Sequence, residues 1–171
     1  GEVVYVDGKI KNIKNICALN IRVARQVYGC ADKVLPYIIE NGRVLNTLIV
    51  SPPGCGKTTL IRDVVRQVSN GIPNLNLKGK NVSLIDERGE IASVYEGVAS
   101  LDVGVRTDVM SNASKAIGMK MMVRSMSPEV IATDEIGNAE DIVAIKEAVL
   151  SGVSVIFTMH GDSLNSILKN K

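Results

Sequence analysis

Aromatic residues are scarce in this sequence: the 171 residues include no tryptophan, one phenylalanine (Phe157) and four tyrosines. A hydrophobic core must therefore be built from valine, isoleucine, leucine, alanine and methionine, and the six methionines are expected to fill gaps in it. Hydrophobic residues make up 46% of the chain and charged residues 22%, so intrinsic disorder is not indicated. The length fits one domain of ordinary size.

Paired cysteines, long apolar runs and several enzyme motifs are also absent. Cys17, Cys30 and Cys55 form no C-x-x-C pair and leave one odd thiol, which indicates a reducing compartment. No apolar run approaches the ~18 residues of a membrane-spanning helix, and we expect no secretory signal peptide. The sequence contains no guanine-reading Asn-Lys-x-Asp motif, no Gly-rich dinucleotide fingerprint, no Cys/His metal cluster and no Gly-x-Ser-x-Gly elbow.

Neither sign of charge dominates, because the formal net charge is only +2. This balance gives no case for wholesale nucleic-acid binding. Only residues 9–33 are locally basic, with one acid, Asp32, among six cations: Lys9, Lys11, Lys14, Arg22, Arg25 and Lys33. Tyr5 and Tyr28 are the only aromatic residues nearby, so the stretch lacks platforms on which bases could stack. A solvated surface is the favoured interpretation.

What the sequence does contain is a phosphate-binding pattern at residues 51–59, Ser-Pro-Pro-Gly-Cys-Gly-Lys-Thr-Thr. The apolar run Val44–Val50 precedes it and a helical pattern follows, so backbone N–H groups and a helix N-terminus would converge on anionic oxygens. Ser51 replaces the first glycine of the usual G-x-x-x-x-G-K-[ST] pattern. Lys57 is expected to reach the β- and γ-phosphates, and Thr58 to ligate Mg²⁺. The predicted nucleotide-binding residues are Pro53, Gly54, Cys55, Gly56, Lys57, Thr58 and Thr59.

Two further apolar runs end in acidic residues. The run Val130–Thr133 precedes Asp134, predicted to hold Mg²⁺ through its water shell, and Glu135, predicted to polarise an attacking water. The run that ends at Ile85 precedes Asp86 and Glu87, and Glu90 follows three residues later. Not all three of these acids can be partners of Arg88, so at least one is expected to face the site; a surface acidic turn is the competing interpretation.

His160, the only histidine, ends the apolar run Val153–Met159. At the carboxyl end of a strand, beside Thr158, it would lie within reach of a γ-phosphate and report on its presence. A packing or surface role is the plainer alternative for a single histidine.

Strands and helices alternate from Val44 onward, which predicts a doubly wound, mainly parallel α/β sheet of the P-loop NTPase class, RecA/AAA-like. The predicted strands are Val44–Val50, Val82–Asp86, Val130–Thr133 and Val153–Thr158, and the predicted helices are Lys57–Ser69 and Ala139–Leu150. Before them we expect a hairpin (Val3–Val6 with Lys9–Ile16) and helices at Asn20–Tyr28 and Asp32–Glu40. Residues 1–43 are interpreted as the remnant of an N-terminal domain with linker helices, and 44–171 as a P-loop ATPase domain truncated at its C-terminal end.

These motifs resemble those of the stage III sporulation protein AA family of endospore-forming bacteria. The resemblance covers nearly the whole chain and rests on these segments: Asn20–Arg25, Ser51–Thr59 with Arg62 and Asp63, Asp86–Ala92, Asp102–Val109, Arg124–Val130 and Thr133–Gly137. That family in turn is similar to the type II and type IV secretion and pilus-motor ATPases, which are hexameric rings with a phosphate loop, two acidic boxes and a histidine box.

The resemblance implies an ATP-hydrolysing, Mg²⁺-dependent motor of a sporulation-associated transport complex. It places Glu90 on the acidic-box glutamate thought to activate water and Glu135 on the second acidic box, so two residues compete for the role of base, with His160 as the third expected catalytic residue. Arg106 and Arg124 are the best candidates to act on a neighbouring subunit's nucleotide, although an ordinary surface arginine is the favoured interpretation for each one taken singly. The implied partners are other copies in a hexamer and membrane-embedded transport proteins, with no nucleic acid, and the implied location is the mother-cell cytoplasm at a membrane complex.

Two other functions fit the same core. A nucleic-acid-handling ATPase, such as a helicase or helicase loader, would use the basic stretch 9–33, and DNA would stimulate its turnover. A scaffold that binds ATP but rarely hydrolyses it is the non-enzymatic alternative.

Overall fold

The computed structural model describes residues 1–21 and 23–162. Arg22, which belongs to the basic stretch, and the last nine residues of the predicted second domain, 163–171, lie outside the described part. The chain starts with an antiparallel hairpin of β1 (Glu2–Val6) and β2 (Lys9–Lys14), joined at Asp7 and Gly8, which both have positive φ angles. This hairpin confirms the sequence prediction.

The segment after the hairpin differs from the prediction. The helix expected at Asn20–Tyr28 is wrong, because the described residues of this segment form no helix. The large apolar side chains Ile21 and Val23 are 80% and 76% exposed, so a helix here would have no face to bury. In addition, the carbonyl of Arg25 accepts a hydrogen bond from Arg62 at 2.8 Å.

The helix expected at Asp32–Glu40 is reduced to α1 (Leu35–Ile38), which runs into a small hairpin of β3 (Ile39–Glu40) and β4 (Arg43–Val44). The turn between these strands is Asn41-Gly42, with φ angles of 50° and 73°. Asn-Gly is the strongest short-range signal for a hairpin turn, and it overrides the helical pattern that precedes it.

The centre of the fold is a five-stranded parallel sheet in the order β5, β11, β10, β6, β9. Its strands are β5 (Thr47–Ser51), β6 (Val82–Asp86), β9 (Thr107–Ser111), β10 (Val130–Glu135) and β11 (Ser154–His160). The helices are α2 (Lys57–Asn70), α3 (Lys115–Ser125) and α4 (Ala139–Leu150), and a 3-10 turn follows α2 at Pro73–Leu75. A small hairpin of β7 (Val94–Tyr95) and β8 (Val98–Ala99) lies between β6 and β9. The predicted α/β class is therefore confirmed; β9 and α3 were not predicted.

Helices cover both faces of this sheet, which explains why its central strands are apolar throughout. Successive residues of β6 point to opposite faces of the sheet. Leu84 packs in the core beneath α2, and Ile85 packs in the core beneath α3 and α4. Gly118 lets α3 approach β6 closely, because a Cβ at that position would lie 2.9 Å from Ile85. The amide of Asp141 donates a hydrogen bond to the Asn138 side chain at 2.9 Å, which caps α4 as predicted.

In a parallel sheet all carboxyl ends lie along one edge. Ser51, Asp86, Glu135 and His160 are the last residues of four of the strands, and they therefore meet at that edge.

Candidate functional site

A glycine-rich turn connects β5 to α2 at the carboxyl edge of the sheet. Gly54 and Gly56 have φ angles of 77° and 81°, a conformation that side chains disfavour, and α2 begins at Lys57, directly after them. The first N–H groups of α2 have no partner within the helix and carry the positive end of its dipole. The turn is therefore suited to holding an anion with several oxygens.

Lys57 lies at the base of this turn and is 9% exposed. Its ammonium group donates hydrogen bonds to the backbone carbonyls of Ser51 and Pro52 at 2.8 and 2.9 Å. It also lies 2.8 Å from Nδ1 of His160. The lysine side chain thus folds back onto its own loop, where carbonyl oxygens and an imidazole nitrogen take the place of ligand oxygens.

His160 joins the lysine to a carboxylate. Its Nε2 lies 2.7 Å from Oε2 of Glu135, so Lys57, His160 and Glu135 form one continuous polar chain across the ends of β5, β11 and β10. Glu135 is half-buried and His160 is exposed, so both can contact a molecule in the adjacent cavity.

Asp134 is 7% exposed, and burial raises the pKa of its carboxyl because desolvation penalises the charged form; Lys115 offsets part of this increase. One of its oxygens, Oδ1, is buried and has no hydrogen-bond donor among residues 1–21 and 23–162, although it lies 3.2 Å from the ammonium of Lys115. Lys115 also contacts Glu87. Burial lowers the pKa of Lys115, but its contacts with Glu87 and Asp134 outweigh that effect and raise it overall.

The acids after β6 have separate tasks. Asp86 is fully buried, and its carboxylate accepts hydrogen bonds from the amides of Glu90, Ile91 and Ala92 at 2.9, 3.1 and 2.8 Å. Arg62, 2% exposed, donates from the opposite side to the carbonyls of Glu90 and Ile91. The amide of Glu90 is therefore bound by Asp86 and its carbonyl by Arg62. The side chain of Glu87 instead forms an ion pair with Lys115. Of the three acids, Asp86 is structural and Glu90 lines the cavity.

The cavity bounded by these groups has a volume of about 380 Å³. It brings together most of the residues that the sequence predicted, with Arg88 in addition: Pro53, Gly54, Gly56, Lys57, Thr58, Thr59, Glu90, Asp134, Glu135, Thr158 and His160. Cys55 is exposed on the same loop but does not line the cavity. Arg124 lines a separate groove between α3 and α4, and Arg106 lies at the amino-terminal end of β9, so neither faces this cavity.

A second cavity of about 650 Å³ adjoins the first and shares Thr58, Thr59, Arg88 and Glu90 with it. Its outer wall is the irregular segment that includes Val23, Ala24, Arg25 and Val27. Apolar side chains of this segment and the guanidinium of Arg25 therefore lie next to the anion-holding turn.

The sequence interpretation missed Lys115 and Arg62. Lys115 follows β9, a strand that was not predicted, so nothing in the sequence placed it beside Asp134. Arg62 belongs to a helical pattern in which arginine is normally exposed. The signal that could have identified it is its position on the same helical face as the buried Val65 and Ser69, three and seven residues later.

The residues present fit a hydrated Mg²⁺ rather than a closed protein cage. No cluster of three or more His, Cys, Asp or Glu residues with metal-ligand spacing occurs in the described part of the chain. Asp134 nevertheless offers a buried oxygen without a donor, and Thr58 lies in the first turn of α2 on the same cavity. Mg²⁺ is usually held by one or two protein oxygens together with phosphates and water.

Among the described residues, no helix is both long and apolar enough to cross a membrane.

Comparison with known proteins gives consistent matches to one family and to its members. The family described as "Sporulation stage III, protein AA" matches residues 1–171. The Stage III sporulation protein AA of Bacillus subtilis is 45% identical over 169 residues, which cover 99% of this chain and 54% of that protein. The chain therefore spans about half the length of this relative.

Two solved structures share the fold. The ATPase DotB of Legionella pneumophila matches with a TM-score of 0.56 and 21% identity over 81% of this chain and 36% of that one. The pilus retraction motor PilT, solved with bound ADP, matches with a TM-score of 0.56 and 19% identity over 98% of this chain and 45% of that one.

Proposed function

The chain belongs to the stage III sporulation protein AA family, and from this premise we propose that it binds ATP with Mg²⁺ and hydrolyses the β–γ bond as part of a motor. The observation that carries the proposal is the cavity at the carboxyl edge of the sheet, where the turn before α2 meets carboxylates from two neighbouring strand ends. An anion-holding turn opposite acids is the arrangement that phosphoryl transfer to water requires.

In this proposal the amides of the turn and of the first helical residues hold the phosphate oxygens. Lys57 leaves the carbonyls of Ser51 and Pro52 and pairs with the β- and γ-phosphates. Thr58 and Asp134 hold Mg²⁺, which neutralises charge on the phosphates when bound. The adjoining cavity beside Val23 and Arg25 takes the nucleoside.

Glu135 and Glu90 both face the cavity, and each is proposed as the group that accepts a proton from the attacking water. His160 contacts both Lys57 and Glu135. When Lys57 moves to the phosphates, His160 loses that partner, so the histidine links occupancy of the phosphate site to Glu135.

We also propose that the intact protein works as a hexamer that docks on membrane-embedded proteins of a sporulation transport complex, in the mother-cell cytoplasm. The two structures that share the fold belong to an ATPase and a pilus retraction motor, which supports a motor. A mass measurement of the intact protein with a non-hydrolysable ATP analogue tests the hexamer; a monomer under saturating analogue would contradict it.

The decisive experiment titrates a fluorescent ATP analogue into the intact protein. Lys57→Ala is expected to weaken binding by at least about 100-fold, because it removes the one lysine among the described residues that lines the cavity. Lys78→Ala, at an exposed lysine beyond the other end of α2, is the matched control and should bind normally. Unchanged affinity of Lys57→Ala would refute the proposed site.

Turnover is measured as phosphate release in the presence and absence of Mg²⁺. We expect hydrolysis to need Mg²⁺ and to be unaffected by added DNA. Stimulation by DNA would favour the nucleic-acid-handling ATPase instead, and binding without release would favour the scaffold.

A further inference from the structure

Lys115 is a buried cation with an unusual location. It is 6% exposed and is the first residue of α3. The N-terminus of a helix carries partial positive charge and disfavours a lysine there. A cation that is both desolvated and next to the positive end of a helix dipole must be held by nearby negative charge.

Two carboxylates supply that charge, and they come from two different strands. Asp134 at the end of β10 lies 3.2 Å from the ammonium, and Glu87 just after β6 contacts it directly. The charge of Asp86 acts on Asp134, but three backbone amides already satisfy its carboxylate. Arg88 also acts on Asp134, and it is exposed.

The backbone at Lys115 is held in place because the start of α3 packs tightly against the sheet. The third residue after it is Gly118, which lies so close to β6 that a Cβ would approach Ile85 to 2.9 Å. Ala116 and Met119 are buried in the same core. The start of α3 is therefore anchored, and the ammonium is held between Asp134 and Glu87.

We propose that the ammonium group of Lys115 is a built-in cation that occupies the space between Asp134 and Glu87 and so prevents Mg²⁺ from binding there in the absence of nucleotide. Apart from this ammonium, 3.2 Å away, the buried Oδ1 of Asp134 has no donor among the described residues. Without the ammonium, the carboxylates of Asp134 and Glu87 would repel each other, and a hydrated Mg²⁺ between them would relieve that repulsion. Lys115 would thus be a positioning residue, and Mg²⁺ would enter the site only together with phosphates.

This inference relies on the proposed function only for the role of Asp134, and its test uses no nucleotide. The intact protein, freed of nucleotide, is unfolded thermally in EDTA and in millimolar Mg²⁺, with ionic strength matched by NaCl so that screening is constant. The unsubstituted protein is expected to have the same Tm in both solutions.

Lys115→Met is expected to have a lower Tm than the unsubstituted protein in EDTA, because two carboxylates then lack their counter-ion. Mg²⁺ should raise the Tm of this variant by about 3–6 °C when it is tenfold above its Kd. Lys115→Arg retains the charge and should show no Mg²⁺ effect. Lys120→Met, on the same helix but paired with Glu147 away from the site, is the matched control and should also show none.

A Lys115→Met protein that gains nothing from Mg²⁺ would overturn the inference, and so would an unsubstituted protein that gains as much as the variant. If Lys115→Met fails to fold, Lys115→Gln repeats the test with a neutral hydrogen-bond donor. A calorimetric titration of Mg²⁺ into the unsubstituted, nucleotide-free protein is independent of any variant, and tight binding there would also overturn the inference. Failure of ATP to bind would refute the proposed function but leave these outcomes unchanged.

Discussion

The two acidic strand ends of this protein look alike in sequence but use their aspartates differently. Asp86 and Asp134 both lie at the carboxyl ends of buried strands, and both are at least nine-tenths buried. The carboxylate of Asp86 accepts three backbone N–H groups, whereas Oδ1 of Asp134 has no donor in the described part of the chain apart from the ammonium of Lys115. The first aspartate holds the loop that carries Glu90; the second is the one that we propose for Mg²⁺ binding. Burial is the same for both, and the number of backbone donors is what differs.

The largest effect should come from the two glutamates that line the cavity near these strand ends. Glu90→Gln and Glu135→Gln are each expected to keep ATP affinity and to slow hydrolysis, by about 10²–10⁴-fold for the residue that acts as base. Single-turnover phosphate release measures this. If one variant hydrolyses ATP at the normal rate, the glutamate that it replaces is not the base. Normal rates in both variants would show that neither Glu90 nor Glu135 is the base.

The aspartates themselves should separate in stability. Asp86→Ala is expected to cost about 3–5 kcal/mol, since it leaves three buried amides without an acceptor. Asp134→Ala should change the free energy of unfolding by less than about 1 kcal/mol, because it removes a desolvated carboxylate while Lys115 keeps Glu87. Urea denaturation measures both, and equal losses would contradict the distinction.

Asp63 tests whether a buried aspartate with several hydrogen-bond donors also stabilises the fold when it lies outside the site. This residue is fully buried on α2, and burial raises the pKa of its carboxyl. Hydrogen bonds from the Ala31 amide, Arg66 and Gln67 lower the pKa by more than burial raises it. The pKa of Asp63 therefore lies below the ordinary value of 3.8. A depressed folded pKa contributes stability above the unfolded pKa and loses it as pH falls through the folded pKa.

Asp63→Asn should therefore cost about 1–3 kcal/mol at neutral pH, and the difference from the unsubstituted protein should shrink as the pH falls below about 4. Urea titrations at a series of pH values check this. A difference that is constant with pH would show that the charge of Asp63 contributes nothing.

The smallest effect is expected from a single side-chain hydrogen bond between β10 and β6. The hydroxyl of Thr133 donates to the carbonyl of Ile85 at 3.1 Å, in the buried part of the sheet. Thr133→Val keeps the shape and removes this bond, so it should cost about 0.5–1.5 kcal/mol. Differential scanning calorimetry resolves such a change, and no change in Tm would mean that the parallel ladder alone fixes the spacing of the two strands.

The part of the fold that could be predicted from sequence is the part with a continuous apolar run or a clear cap. The strand at Val82–Asp86 and the helix at Ala139–Leu150 match the structure residue for residue. The edge strand β9 was missed because its sequence, Thr-Asp-Val-Met-Ser, contains only two apolar residues. The helix expected at Asn20–Tyr28 failed because a pattern cannot show whether a partner surface exists for it.

The candidate site divides in the same way. Residues at strand ends and in the phosphate loop could be predicted, because a parallel sheet brings its carboxyl ends together whatever the strand order. The location of Lys115 could not be predicted. It follows β9, and it lies beside Asp134 only because β9 is the outermost strand of the sheet, next to β6. The residues alone left open which of Asp86, Glu87 and Glu90 faces the site, because only the fold shows that backbone amides bind the carboxylate of Asp86.

The retracted Lys57 side chain has a consequence for selectivity. A small anion that enters the loop would have to displace two carbonyls and an imidazole while offering few oxygens in return. A triphosphate would offer more contacts in exchange for the same rearrangement. Under the proposed function, this difference would favour ATP over the inorganic phosphate and sulfate of the cell.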